Sequence, residues 1–360
     1  MYSEQDIENA VAAGAMTPAT AAALRAHVEA SRATPAVDEE NFRLLTGFND
    51  IFVTIAAVIL LFAVAWIGYT IPPHLEDKGP TPFMGAFVAV TAWLLAEYFT
   101  RQRRMALPSI ILLLAFSGGV FAATMTLGGL IVGEEQFGNS VAPIAWLSSG
   151  SALVAGIATW LHWRRFMVPI TVAAGASIAS SAVIAIILAA VGGEHPPQNL
   201  VMALTLAAGI AVFILAMRWD GSDRARQTRR SDVAFWLHLL AAPMIAHPIF
   251  FLLGVTSGQE ISLGAGLLVL AIYVAFGIVA LAIDRRALLV SALAYVLYAL
   301  TQLFRQFGAV ELNVALTAFL IGSALLLLSA FWAQTRRTVV EQLPGGLRER
   351  LPIVGRPAVV

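Results

Sequence analysis

Long apolar segments separated by short polar ones recur from residue 51 almost to the end of the chain. Each is close to the roughly 20 residues that an α-helix needs to cross the hydrocarbon of a bilayer. The pattern predicts an all-α, polytopic transmembrane helix bundle. No apolar run precedes residue 51, so we expect an uncleaved first span rather than a signal peptide. The ten predicted spans are residues 51–71, 82–100, 106–130, 141–161, 167–191, 199–217, 233–255, 261–283, 287–304 and 312–333.

The basic residues test this count independently, because cytoplasmic loops of membrane proteins carry an excess of arginine and lysine. With ten spans, only Lys78 and Arg305 of the 22 basic residues fall on the outer side. An error of one span would scramble this alternation. The sequence therefore predicts that both termini are cytoplasmic. The inner residues are Arg25, Arg32, Arg43, Arg101, Arg103, Arg104, Arg164, Arg165, Arg218, Arg224, Arg226, Arg229, Arg230, Arg285, Arg286, Arg336, Arg337, Arg348, Arg350 and Arg356.

Composition supports an integral membrane protein: 59% of residues are hydrophobic, 12% are charged, and the mean hydropathy is +0.80. Ordinary soluble domains have roughly a quarter of their residues charged. The absence of cysteine excludes disulfides, thiolate metal ligands and cysteine nucleophiles. The sequence contains neither an HExxH nor a GxSxG motif, and the apolar segments contain no carboxylate pair. We therefore expect no enzyme activity and no cofactor.

Three regions follow from this pattern. Residues 1–50 are predicted to form a cytoplasmic helical hairpin and an amphipathic lead-in, residues 51–333 the bundle, and residues 334–360 a cytoplasmic interfacial tail. In the hairpin, Gly14 suits the end of one helix, and Thr17 with Pro18 suits the start of the next. The tail alternates apolar and charged residues, which predicts a helix on the inner leaflet and then a frayed end.

The polar connections between the spans are also candidate binding sites. The outer ones are short and acidic, and they could hold a divalent cation if they converged. Sorting of arginine to the inside leaves acids outside in any case, so we predict no metal site. The inner stretch Arg218 to Arg230 is basic but diluted by Asp220 and Asp223. Topology and anionic lipid at the cytoplasmic face account for it, and no nucleic-acid binding is expected.

The seventh span combines two prolines with two histidines. Pro243 and Pro248 each leave a carbonyl without its helical donor, and hydrocarbon offers no replacement. This span is therefore expected to bend and to face other helices or a wet cavity. His238 and His247 are nine residues apart, which places them on opposite faces and excludes a chelating pair. They are candidates for a substrate or proton path; alternatively, each is held singly by a structural hydrogen bond.

The ninth span carries a polar stripe of Ser291, Tyr295, Tyr298 and Gln302. Their spacing places them on one helical face, which should not contact lipid. The stripe is either one wall of a substrate path or a set of hydrogen bonds between helices.

The stretch IENAVAAGAMTPATAAALRAHV, the acidic approach to the first span and the tail sequence LPGGLRERLP carry a family resemblance. The chain resembles a group of uncharacterised bacterial polytopic membrane proteins with a domain of unknown function and a short N-terminal cytoplasmic helical hairpin. The resemblance covers residues 1–70 and the tail. It implies a bacterial inner-membrane setting and no particular activity.

Two functions fit these observations. The first is passage of a small solute or ion through the bundle. The second is a membrane-embedded scaffold or sensor, whose hairpin and tail bind a partner. A cavity open to one side and lined by the seventh and ninth spans would favour passage. A fully packed bundle with an apolar groove on the hairpin would favour the scaffold.

Overall fold

The computed structural model describes residues 10–24, 48–75, 77–133, 141–192, 196–226, 228–255, 262–306 and 313–354. The chain forms two compact units, Leu44–Gly355 and a smaller one made of Met1–Arg43 with Arg356–Val360. Within the described ranges, all regular structure is helical.

Residues 10–24 are the described part of the smaller unit. Thr17 Oγ1 accepts the backbone N–H of Thr20 at 3.1 Å, and a helix follows from residue 18. Gly14 has a φ of +72°, and its N–H donates to the carbonyl of Val11 just after the preceding helical turn. These are the local roles that the sequence predicts for Thr17 and Gly14. The rest of the predicted hairpin, and most of the lead-in, lie outside the described residues.

Ten helices of the larger unit correspond in order to the ten predicted segments. Two short helices follow, α11 (Trp332–Glu341) and α12 (Gly345–Arg348). The ten are α1 (Phe48–Tyr69), α2 (Pro82–Ala96, continued by a π-helix over Glu97–Gln102), α3 (Ala106–Val132), α4 (Val141–Phe166), α5 (Ile170–Val191), α6 (Gln198–Ser222), α7 (Arg229–Leu252), α8 (Leu263–Ile283), α9 (Ala287–Gln306) and α10 (Asn313–Ala330).

Helices α1 to α8 are long and apolar enough to cross a membrane. Large apolar side chains on the outer surface are widely exposed, among them Phe62 at 73% and Leu326 at 74%, as lipid-facing residues should be. The chain is therefore an integral membrane protein. The apolar part of α9 covers only Ala287–Thr301, and α10 and α11 meet the criteria only as a pair bent by 76°. The described part thus holds eight candidate spans, or nine with that pair, where the sequence predicts about ten.

Glycine allows the closest helix approaches. A Cβ on Gly119 of α3 would lie 2.7 Å from the carbonyl oxygen of Gly85 in α2, so only glycine fits this crossing. A Cβ on neighbouring Gly118 would meet nothing within 4 Å. Helix α3 therefore packs on α2 through the face that contains Gly119.

Both prolines lie inside helix α7, which runs from Arg229 to Leu252. The carbonyl of Met244, which Pro248 deprives of its donor, lies against Gly209 of α6. A Cβ on Gly209 would come within 2.9 Å of that carbonyl carbon and oxygen. The freed group therefore faces protein, as predicted. The Met244 carbonyl can approach helix α6 this closely because Gly209 has no side chain.

The C-terminal segment folds onto one end of the bundle. Trp332, Arg336 and Val340 are spaced by four residues on one face of α11, and all three are buried. Further along the chain, Leu351 packs with Val340 and with Ile283 of α8. The sequence predicts that this segment forms a helix on the inner leaflet followed by a frayed end. In the structure, its described part packs against the end of α8 as far as Val354.

Candidate functional site

Six ionisable side chains gather in the protein interior where α6, α7, α8 and α11 meet. None has more than 6% of its side chain exposed. Such a cluster is expensive to bury unless its members pair with one another, so its presence needs a reason. We call it the ion network: Asp220, Arg226, His238, Asp284, Arg285 and Arg336.

One half of the network links α6, α7 and the end of α8. His238 Nε2 lies 2.9 Å from Asp220 Oδ2, and Arg285 Nη2 donates to Asp220 Oδ1 at 2.9 Å. Because a carboxylate accepts only, the imidazole must donate from Nε2. Its Nδ1 has no hydrogen-bond partner in the described part of the chain. His238 therefore presents one bonded nitrogen to a carboxylate and keeps the other available.

The second half is centred on Asp284, which ends α8 in a left-handed conformation (φ 57°). Arg226 Nη1 donates to its Oδ2 at 2.8 Å, and Trp332 Nε1 donates to its Oδ1 at 2.8 Å. Arg336 Nε forms an ion pair with the same Oδ1 at 3.5 Å. Asp284 therefore ties the loop before α7 and the C-terminal helix to the end of α8.

Backbone carbonyls satisfy much of the remaining donor capacity. Arg226 Nη2 donates to the carbonyls of Ile283 and Asp284, and Arg336 Nη2 donates to that of Pro352 at 2.9 Å. Arg224, beside the network, donates to the carbonyls of Leu351 and Arg348. The C-terminal segment is thus held through its backbone carbonyls as well as by the packing of Leu351.

The network carries three guanidinium groups and two carboxylates, so it is positively charged even before His238 is counted. Burial, followed by the neighbouring charge of Arg285, lowers the pKa of the Arg226 guanidinium, and Asp284 and Asp220 oppose this effect. Each arginine therefore depends on the carboxylates for its stability in the interior. Loss of one carboxylate would leave buried positive charge uncompensated.

The other predicted site residues lie further along α7 and α9. His247 Nδ1 shares a hydrogen bond with the hydroxyl of Tyr295, and Phe250 stacks on the Tyr295 ring with centroids 4.7 Å apart. His247 itself is exposed on the surface of the unit. Two of the predicted candidates, one from each span, are thus in direct contact.

The remaining stripe residues are Ser291, Tyr298 and Gln302. Ser291 and Tyr298 are half-buried on α9, and the side chain of Gln302 is outside the described set. His238 lies in the ion network, apart from His247, as expected for opposite faces of one helix. The structure therefore separates the predicted residues into a network position and an α7–α9 contact.

Most of the ion network is not predicted by the sequence. The stretch from Arg218 to Arg230 is explained there as a basic connection set by topology, and the predicted sixth span ends at residue 217. Helix α6 continues to Ser222, so Asp220 is inside the helix and fully buried. One signal was present: acids adjoin arginines at both connections, Asp220 and Asp223 near Arg226, and Asp284 beside Arg285.

A third histidine of the long helices, His162, is not among the predicted site residues. His162 of α4 is fully buried and packs against the rings of Trp93, Phe116 and Phe166, with centroid distances of 6.0, 5.6 and 4.5 Å. Neither ring nitrogen has a hydrogen-bond partner in the described residues. Its aromatic surroundings make it part of the packing between α2, α3 and α4.

A groove of about 750 Å³ lies between α3 and α4. Its wall includes Trp146 and Val154, which are 55% and 45% exposed, so it opens on the outer surface of the bundle. The groove is not lined by α7 or α9, the two spans between which a cavity would favour passage. Among the described residues, no group of three or more histidines and acids is close enough to hold a metal ion.

Comparison with known proteins gives no relative on which to base a function. No protein-family model matches the chain, and no curated protein or solved structure matches it either.

Proposed function

We propose that this protein passes a small ion or solute through its helix bundle in a proton-linked manner. The observation that carries the proposal is the contact of His238 with Asp220. It joins a titratable imidazole in one membrane helix to a carboxylate in the next, and the other imidazole nitrogen has no hydrogen-bond partner among the described residues. Ionisable residues inside membrane-spanning helices are costly and commonly mark ion or proton pathways.

In this proposal, the ion network closes the path of the ion or solute at the end of the bundle where the network lies. It connects the α6–α7 and α8–α9 hairpins through side chains that must separate if those hairpins move apart. The His247–Tyr295 contact joins the same two hairpins at another place, between α7 and α9. A proton taken up by His238 would change the charge balance of the network and weaken its hold on the arginines.

Proton flux into liposomes tests this proposal. Purified protein is reconstituted with a pH-sensitive dye inside, and a membrane potential is applied with a potassium ionophore. Proton entry should exceed that of protein-free liposomes, and His238→Gln should reduce it strongly. His74→Gln, which changes a histidine outside the spans, should leave it unchanged. Equal flux in the wild type and in empty liposomes would refute proton-linked passage.

The scaffold or sensor is the second candidate, favoured by the docking of the C-terminal segment on the ion network. A tail held by backbone carbonyls can be released without changing its own side chains. If this is the function, a protein without flux should still release the tail in response to a partner. The two proposals thus differ in whether flux exists at all.

We also propose ten spans, with both termini in the cytoplasm of a bacterium and the bundle in its inner membrane, and no enzyme activity. Support for ten comes from the tail: Trp332, which follows α10, contacts Asp284, which precedes α9. Helices α9 and α10 must therefore leave this end of the bundle and return to it. Helix α9 has 20 residues, about 30 Å, which is enough to cross.

Labelling of single cysteines tests the topology cleanly, since the chain has no cysteine of its own. A membrane-impermeant maleimide applied to intact cells should label Lys78→Cys. It should label Arg337→Cys only after the membrane is opened. Both positions are exposed. Labelling of Arg337→Cys in intact cells would contradict the proposed orientation.

A further inference from the structure

A second charged surface lies where α2 and α4 end, apart from the ion network. It contains five exposed arginines. The four other than Arg165 are called the arginine rim: Arg101, Arg103, Arg104 and Arg164. The local carboxylate, Glu97, is already engaged. It forms a two-bond pair with Arg165, at 2.7 and 2.9 Å, and a pair with Arg101 at 3.3 Å.

The Glu97–Arg165 pair joins the ends of α2 and α4, so the rim is one surface and not two. Rings of Trp93 on α2 and Phe166 on α4 also meet there, with centroids 5.1 Å apart. Among these described residues, five arginines and Glu97 carry a net charge of +4. One carboxylate cannot neutralise it, so the surface suits an anionic ligand.

Aromatic side chains contact two of the rim arginines and fix the positions of their guanidinium groups. Arg103 donates from Nε and Nη2 to the hydroxyl of Tyr98, at 3.1 and 2.8 Å. The guanidinium of Arg164 lies over the Trp160 ring, 5.1 Å from its centroid. Tyr98 and Trp160 are 42% and 53% exposed. Exposed tyrosine and tryptophan at the ends of spans are typical of the headgroup region of a bilayer.

Directly behind these aromatics, both helices expose apolar side chains. Leu94 precedes Tyr98 by four residues and is 64% exposed; Ile157 precedes Trp160 by three and is 54% exposed. Each helix therefore presents an apolar residue, then an aromatic ring, then a guanidinium. A ligand that matches this order has apolar chains and an anionic head.

We propose that the arginine rim binds the phosphate headgroup of an anionic phospholipid whose acyl chains lie along α2 and α4. Arginine suits this role because its planar fork of N–H donors matches phosphate oxygens. The apolar approach distinguishes a lipid from a soluble phosphate, which would need only the charged end. This inference does not depend on the proposed proton-linked passage.

Native mass spectrometry of the full chain in detergent tests the proposal, with phosphatidylglycerol as the probe and phosphatidylcholine as its neutral comparison. Wild type should retain phosphatidylglycerol and lose phosphatidylcholine. Arg103→Gln with Arg164→Gln should weaken retention by about tenfold or more, since each surface arginine contributes appreciably to anionic-lipid binding. Arg230→Gln with Arg337→Gln removes the same charge from other exposed positions and should retain the lipid.

Equal phosphatidylglycerol retention by the rim variant and the wild type would overturn the proposal, as would an equal loss in the control pair. Displacement of the lipid by millimolar inorganic phosphate would also overturn it, because the site would then recognise a soluble anion. If the double rim variant does not fold, Arg103→Gln and Arg164→Gln are each measured alone. Each should show a partial loss, and unchanged retention in both would count against the rim.

Discussion

Asp220 and His238 lie on neighbouring helices and share a hydrogen bond of 2.9 Å between the carboxylate Oδ2 and the imidazole Nε2. The other carboxylate oxygen accepts from Arg285, so one buried acid supports two buried bases. This relationship makes Asp220 the residue on which the first half of the ion network depends.

Asp220→Asn should therefore be strongly destabilising although it preserves the shape of the side chain. The amide cannot balance the charge of Arg285, and an uncompensated buried charge costs about 3 to 5 kcal/mol in soluble proteins. We expect a clear fall in the melting temperature in detergent, measured by tryptophan fluorescence. Asp77→Asn, the same change at an exposed loop position, should leave it unaltered. Equal melting temperatures for wild type and Asp220→Asn would show that the contact contributes little.

Gly209→Ala should destabilise the packing of α6 on α7. The new Cβ would lie 2.9 Å from the Met244 carbonyl, and overpacking of this kind costs about 1 to 3 kcal/mol. Gly118→Ala is the matched control, since its Cβ meets nothing within 4 Å and alanine favours the helix by up to about 1 kcal/mol. The two variants should shift the unfolding midpoint in opposite directions. A shift in the same direction would refute the close approach at Gly209.

Arg336→Gln should loosen the C-terminal segment. This change removes the ion pair with Asp284 and weakens the bond to the Pro352 carbonyl. Hydrogen exchange of residues 342–354 should become faster while that of α3 and α4 stays the same. Arg337→Gln, one residue further and exposed, should exchange like the wild type. Unchanged protection in Arg336→Gln would mean that apolar packing alone holds the segment.

Tyr295→Phe should cost about 0.6 to 2 kcal/mol, the range for a hydrogen bond between membrane helices. The phenyl ring keeps its stacking on Phe250, so only the bond to His247 is lost. Tyr298→Phe, the neighbouring stripe position, provides the comparison. A double-mutant cycle of Tyr295→Phe with His247→Phe should give a coupling energy of similar size. Additive effects would show that the contact contributes no measurable coupling energy.

Much of the fold was readable because membrane helices follow a local rule: roughly 20 apolar residues in a row must be helical to satisfy their backbone in lipid. All ten predicted segments coincide with helices. The helix start at Thr17 and the opposite faces of His238 and His247 were also predictable. Each depends only on spacing along one helix.

The ion network was decided only by tertiary structure. His238 was identified from the sequence, but its partner comes from another helix, and Asp220 to Arg285 spans sixty-five positions of chain. Nothing in a local pattern states which acid a buried base will meet. The same holds for Gly209, whose role follows from the backbone of Met244 on the next helix. The sequence determined which segments enter the membrane and which residues are costly there. Helix packing decided which of those residues meet, because contacts between helices depend on rotations and crossings that no single span encodes.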